Sequence, residues 1–228
     1  MMRHYRNQNP KGILMRKGVF ITVEGPDGSG KSTQLEYIKE YMMSNGVDAL
    51  FTREPGGTPI SEKIRTIILD PENTELSPMT EALLYAASRS QHIAQLIRPA
   101  LERGKVVVCD RFVDSSIAYQ QYARGLGECV SMINDYAIDG IIPDITFLLK
   151  IEPEIAMRRL NGPSDRLERE TMEFHRAVYR GYLELEKKFP ERIVAVDATL
   201  PADEVRIQIE EHITDLLYDH YRRIGEQI

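Results

Sequence analysis

The chain has 228 residues, 42% hydrophobic and 28% charged, with a formal net charge of −6. That is enough apolar material for one compact domain with a proper core, and the ordinary charge content argues against wholesale disorder. The acidic balance argues against a nucleic-acid coating role and obliges any phosphate-binding role to gather Arg and Lys locally.

In chain order, the first 17 residues carry Arg3, Arg6, Lys11, Arg16 and Lys17, with no acid before Glu24. They read as a basic, disordered leader outside the domain, with Met15 a candidate start. A β-rich strand over 19–24 precedes a glycine-rich loop. A helix over 33–43 follows, with Leu35, Ile38 and Met42 at helical spacing and Asn45-Gly46 as its stop. A second strand spans 47–52, then the Gly/Pro loop Glu54-Pro55-Gly56-Gly57 and a short helix over 61–69. A long helix over 80–98 is expected to point Leu83, Leu84, Ala87 and Ile93 at the core, with Pro99 near its end and Arg103-Gly104 as the last stop. The nearly all-apolar stretch 105–109 has the pattern of a central parallel strand covered on both faces. Further strands are expected over 145–150 and 193–197, and a closing helix from about Ala202 shows Val205, Ile209, Ile213 and Leu216 on one face.

Five strands alternating with helices predict an α/β fold in three layers, a five-stranded parallel sheet with helices on both faces and ligands at the strands' carboxyl ends. Residues 18–228 form one domain in this reading. Cys109 and Cys129 form no CxxC pair and have no zinc spacing, which fits a reducing, cytoplasmic setting. No apolar run approaches the roughly 18 residues of a membrane span, so no membrane partner is expected.

The loop Gly25-Pro26-Asp27-Gly28-Ser29-Gly30-Lys31-Ser32 fits G-x4-G-K-S, the P-loop of NTP-binding proteins, and Thr33 continues into the helix. Its glycines let backbone N–H groups converge on a polyphosphate, and the helix adds the positive end of its dipole. Lys31 supplies a point charge beside the β- and γ-phosphates and Ser32 a hydroxyl for Mg²⁺. A signalling GTPase is disfavoured, because no D-x-x-G lies outside this loop and no N-K-x-D occurs. A hydrolytic motor is disfavoured because the third strand runs into Asp110-Arg111 rather than an acidic pair. Arginine there cannot activate water but can hold a second phosphate.

Thr52-Arg53-Glu54-Pro55-Gly56-Gly57, then 81–89 (EALLYAASR), then 110–120 (DRFVDSSIAYQ) closely resemble the thymidylate kinase family. The likeness runs from about Gly18 to the closing helix and includes Pro143-Asp144 and Asp197-Ala198-Thr199. It implies ATP-dependent phosphorylation of thymidine monophosphate (dTMP) to the diphosphate, with ATP and Mg²⁺, no nucleic-acid partner, and a homodimer. By the same resemblance Arg53 and Arg111 attend the acceptor phosphate, Arg89 lies against the base and phosphate side, and Tyr85 stacks on thymine. Ser116 and Gln120, four residues apart, share a helix face. The Gln120 amide can read the N3–H and O4 edge of a pyrimidine. The resemblance further implies that Tyr119 crowds the sugar 2′ position and that Asp27 contacts the acceptor sugar, and Asp110, closing an apolar strand, is a candidate water-mediated Mg²⁺ partner.

The break Asn161-Gly162-Pro163-Ser164, flanked by Arg158, Arg159, Arg166 and Arg169, reads as a lid over about 158–170 that closes arginine over ATP. Family members without an Arg in the P-loop supply it from the lid; position 28 is Gly, and Arg166 is the leading candidate, with Arg158 and Arg159 as alternatives. The catalytic set in this reading is Lys31, Arg111, Arg166 and Asp27. The acceptor phosphate, with a second pKa near ~6, is already mostly dianionic at neutral pH, so no general base is required and no histidine is assigned. Another pyrimidine monophosphate kinase, or a non-catalytic nucleotide-binding regulator, remains the alternative.

Overall fold

All residues of β1 (Phe20–Glu24) are buried, because this strand lies in the middle of a parallel sheet with helices above and below. The computed structural model describes residues 18–160 and 165–225. The basic leader and the tetrapeptide 161–164 at the tip of the expected lid therefore lie outside the described residues.

The sheet has five parallel strands in the order β2 (Ala49–Arg53), β3 (Val106–Asp110), β1, β4 (Ile145–Lys150), β5 (Ile193–Asp197). Register runs Ile21 to Val108 on one side of β1 and Ile21 to Ile145 on the other. The chain leaves β1 for the β2 edge, returns to β3, then crosses to β4 and β5. This reversal opens a crevice at the carboxyl ends of the central strands, where ligands of such sheets bind.

On one face, α1 (Lys31–Ser44) and α9 (Ala202–Gly225) bury Ile38, Met42, Val205, Ile209, Ile213 and Leu217 against Ile21, Val23 and Phe147. On the other, Phe20, Val107 and Cys109 pack with Ile93, Ile97, Leu101 and Phe112. A further cluster joins Tyr119, Val178, Tyr182 and Leu185, with α8 (Met172–Lys188) as its main contributor. Cys109 and Cys129 are both free thiols, and Cys109 is buried.

Two helical stretches depart from the sequence reading. The helix expected over 80–98 is α3 (Pro78–His92), a π-helical turn Ile93–Ile97, and α4 (Arg98–Glu102). Pro99 accounts for the break: it has no N–H to give a carbonyl four residues back, and the wider turn lets Arg98 N donate to Ile93 O instead. The inward face of α3 also differs from expectation. Glu81, Ala82, Ala86, Ser88, Arg89 and His92 are buried, whereas Leu83 is 50% exposed and Ala87 faces outward. This helix turns its polar side inward because it walls the crevice, and apolar periodicity carries no sign of that. The second departure follows α5 (Val113–Ser116), whose continuation Ile117–Ala123 is π-helical.

The remaining elements are α2 (Pro59–Leu69), capped by Thr58, α6 (Cys129–Ile138) and α7 (Pro153–Arg159).

Candidate active site

A cavity of about 680 Å³ opens at the carboxyl ends of the strands, within the size range of ligand pockets. Residues 27–34 of the loop and α1 line it, together with Arg53, Arg65, Tyr85, Arg111 and Gln120. The loop is shaped by backbone more than by side chains. Gly28 (φ 79°) and Gly30 (φ 93°) take left-handed conformations, and a Cβ on Gly28 would fall 2.1 Å from the Ala156 carbonyl of α7. Any side chain at position 28, arginine included, is therefore excluded by α7 lying over the loop.

Lys31 Nζ is held by the carbonyls of Gly25 (3.1 Å) and Pro26 (2.8 Å), which aim it into the loop. Burial and the neighbouring Arg111 charge bring its pKa down to about 8, against the opposing pull of Asp27, Asp110 and Glu24.

Arg111 follows β3 with φ 64°, an uncommon value for a side-chain-bearing residue and a mark of a functional turn. Its Nη1 donates to Gly25 O (3.0 Å), Ser115 Oγ (3.1 Å) and Tyr182 OH (3.2 Å), and its Nη2 pairs with Asp27. Tyr119 OH donates to the other Asp27 oxygen at 2.9 Å. Burial works to raise the Asp27 pKa, but Arg111 and Lys31 outweigh it and bring the carboxyl down to about 2.

Beneath Arg111 lies Glu24, a residue the sequence reading left out. Its carboxylate accepts from Phe112 N (2.7 Å), Ser115 N (3.2 Å), Ser115 Oγ (2.6 Å) and Tyr182 OH (2.9 Å). Burial first, then the nearby Asp114 charge, raises its pKa to about 7, while Arg111 and the hydrogen bonds pull the other way. Glu24 thus grips the two hydroxyls that position Arg111. The local signal was weak: a single acid closing an apolar strand.

Arg89 is 1% exposed, and its guanidinium is committed inside the protein. Nε pairs with Glu54 (2.8 Å), Nη1 donates to Ser116 Oγ (2.9 Å) and Asn134, and Nη2 donates to Phe112 O (3.0 Å), which uses four of its five N–H donors. Glu54 also takes His92 Nδ1 (3.0 Å), whose ring bonds Thr52 Oγ1 through Nε2 (2.7 Å). A Cβ on Gly57 would fall 2.5 Å from that Nε2, so only glycine lets the loop cross His92. Arg53 lines the cavity and is clasped by Glu62 (2.9 and 3.0 Å).

Ser116 and Gln120 do not share a face as expected. Gln120 lines the cavity, whereas buried Ser116 sits behind Arg89, and it is Ser115 that lines the cavity wall. The reason is the π-helical geometry from Ile117 onward, in which Arg124 N reaches Tyr119 O and a four-residue step no longer returns to one face.

On the lid side, Arg166 is turned away from the loop. Its Nη2 meets Glu81 at 2.5 Å and its Nε donates to Ile68 O at 2.9 Å. Arg159, at the end of α7, lies in the cavity wall instead, with Nη1 on Ala198 O at 2.9 Å. The backbone turn that seats Arg166 beside Leu69, with its N–H on that carbonyl, is a tertiary contact no motif announces.

For a metal, no cluster of three or more His, Cys, Asp or Glu suited to an ion occurs among the described residues. The loop hydroxyl Ser32 and Asp110 both line the cavity, and Asp110 Oδ1 is buried with no hydrogen-bond partner among the described residues. A hydroxyl and an orphaned carboxylate oxygen beside a phosphate loop suit Mg²⁺ bound mainly through phosphate and water.

A family model described as thymidylate kinase matches residues 23–209. A thymidylate kinase of Clostridium novyi (strain NT) is 50% identical over 196 residues, covering 84% of this chain and 96% of that protein. One from Halalkalibacterium halodurans is 48% identical, over 84% and 93% respectively. Among solved structures, the thymidylate kinase of Ehrlichia chaffeensis superposes with a TM-score of 0.71 at 34% identity, covering 86% of this chain and 98% of that one. With the P-loop, the Arg111 turn and the committed Arg89 all in one crevice, these likenesses assign the chain to the thymidylate kinase family.

Proposed function

We infer that the protein transfers the γ-phosphoryl group of ATP to dTMP, giving dTDP. The observation that carries this is that one cavity is lined both by a phosphate loop and by a second set of arginines outside it, Arg53 and Arg111. Such an arrangement serves two phosphorylated substrates rather than one nucleotide and water.

The chemistry follows from positioning. An acceptor phosphate oxygen attacks the γ-phosphorus in line with the departing ADP oxygen, and the residues neutralise charge without any proton acceptor. Lys31 and the backbone N–H groups of residues 25–33, Pro26 excepted, hold the donor phosphates. Arg111 and Arg53 receive the acceptor phosphate. Asp27, fixed between Arg111 and Tyr119, attends the acceptor sugar, and Tyr119 guards its 2′ position. Tyr85 and Gln120 meet the base. Ala198, Leu200 and Val205, next to the loop, offer an apolar wall suited to adenine. Ser32 and Asp110 would hold Mg²⁺, which when bound neutralises charge on the β- and γ-phosphates. Residues 18–228 act as one domain in this reading.

No described helix is long and apolar enough to cross a membrane. The unpaired cysteines accord with a reducing, cytoplasmic setting. A homodimer is supported by apolar residues left on the outer faces of α2 and α3: Ile60, Ile67, Met79 and Leu83 are 40–50% exposed.

ATP consumption measured with a panel of nucleoside monophosphates tests the reading. Strong preference for dTMP is expected. Equal use of all pyrimidine acceptors would make it a broader kinase, and no acceptor-dependent turnover would reject catalysis.

A further inference from the structure

Glu81 lies on the inward side of α3, one turn before Tyr85, and is completely buried. Its carboxylate gathers donors from two separate parts of the chain. Gln120 Nε2 reaches Oε1 at 2.8 Å, Arg124 Nε and Nη2 reach Oε1 and Oε2 at 3.3 and 3.1 Å, and Arg166 Nη2 reaches Oε2 at 2.5 Å. Both guanidiniums are themselves anchored. Arg124 pairs with Glu170 at 2.6 Å and lies over the Phe174 ring, and Arg166 hangs from Ile68 O.

A carboxylate clasped by two guanidiniums offers only lone pairs. Gln120 must therefore approach it with its NH₂ end, and an amide cannot turn both ends the same way. Gln120 is 1% exposed and lines the cavity, whereas Glu81 stands behind it. With one N–H spent on Glu81, the amide is turned so that its acceptor, the carbonyl oxygen, is left for the cavity beside its second N–H.

On the reading of this cavity as the dTMP site, we propose that Glu81 is a positioning residue for base specificity: it locks the Gln120 amide so that the pocket presents an acceptor to the base. A pyrimidine with an N3–H, thymine or uracil, satisfies that acceptor. Cytosine brings a lone pair at N3 and is refused, because two acceptors then face each other at a side chain that is itself buried. Arg166 lies within the segment read as the lid, so the same carboxylate ties Gln120 to that segment.

The test compares kcat/KM for dTMP and dCMP in wild type and Glu81→Gln. The new amide can donate as well as accept, which frees Gln120 to turn, and the dTMP-to-dCMP ratio should fall by about tenfold or more. A substitution that merely loosens the fold lowers both substrates together, and an unchanged ratio in a folded variant overturns the proposal. Adding Gln120→Leu should abolish the effect of Glu81→Gln on the ratio; persistence of that effect would also overturn it. If Glu81→Gln does not fold, the ¹⁵N-labelled wild type decides. Gln120 side-chain amide protons bonded to Glu81 resist solvent exchange before dTMP binds and keep their shifts afterwards, whereas freely exchanging protons refute the lock. A wild type that does not phosphorylate dTMP at all would refute the underlying functional reading instead, so the two failures are distinct.

Discussion

Lys31 and Arg111 bring two cations into one corner of the protein, and the cost of burying them is visible in Lys31. Its pKa of about 8 means the folded state binds fewer protons than the unfolded chain between about pH 8 and the ordinary lysine value of 10.5. The charged form therefore costs stability at neutral pH, and that cost is relieved as pH rises through about 8. Catalysis runs in the opposite direction, because phosphate needs the ammonium. In a pH–rate profile, kcat/KM for MgATP should fall about tenfold per unit above the free-enzyme pKa. A profile still flat well above pH 9 would remove Lys31 from phosphate binding. Asp27 does not enter that window, since its carboxyl near 2 stays ionised throughout. At this scale the sequence showed which residues carry charge, and the structure showed which of those charges are used up. Arg89 was legible as a motif arginine, but its commitment to Glu54, Asn134, Ser116 and Phe112 O was not, because those partners lie 23 to 45 residues away.

Among the elements, α7 has the largest say in how the donor side is built. Its Ala156 carbonyl forbids a side chain at Gly28, so the loop has no place for an arginine, and the same helix ends in Arg158-Arg159. The element that keeps a side chain out of the loop thus also carries an arginine into the cavity wall. Arg159 lines the cavity and Arg166 braces Glu81, which makes their substitutions separable. Arg159→Ala should lower kcat at least ~10-fold with little change in KM for dTMP, the loss of a charge felt mainly in the transition state. Arg166→Ala should raise KM for dTMP more than it lowers kcat. Initial-rate kinetics on both variants would expose the reverse pattern and return Arg166 to the role of lid catalyst. The π-helical turn at Ile117–Ala123 is the counterpart on the acceptor side, since it separates Ser116 from Gln120 and gives each a different neighbour. Nothing in a five-residue window distinguishes that turn from an α-helix; the packing of α8 against it does.

At the scale of the whole molecule, the order β2-β3-β1-β4-β5 brings the loop after β1 and the turn after β3 to one edge, although 86 residues separate Arg111 from the Gly25 carbonyl it holds. The outer faces of α2 and α3, which are tied together by Ser61 Oγ on Ser88 O, carry the exposed apolar residues. If two copies meet there, Leu83→Glu should convert a concentration-dependent dimer to monomer in sedimentation equilibrium while the circular dichroism spectrum stays unchanged. A wild-type monomer at micromolar concentration would sink this arrangement. What the sequence determined by itself was local or contiguous: the P-loop, the strand and helix order, the Asp110-Arg111 turn and the family motifs, all of which act through spacing along the chain. Only the tertiary structure decided which face of α3 looks inward, that Arg159 rather than Arg166 reaches the cavity, and that Glu24 and Glu81 stand behind Arg111 and Gln120. Burial and hydrogen-bond pairing are properties of what lies opposite, and Tyr182, which bonds Glu24 across 158 residues, has no local pattern to announce it.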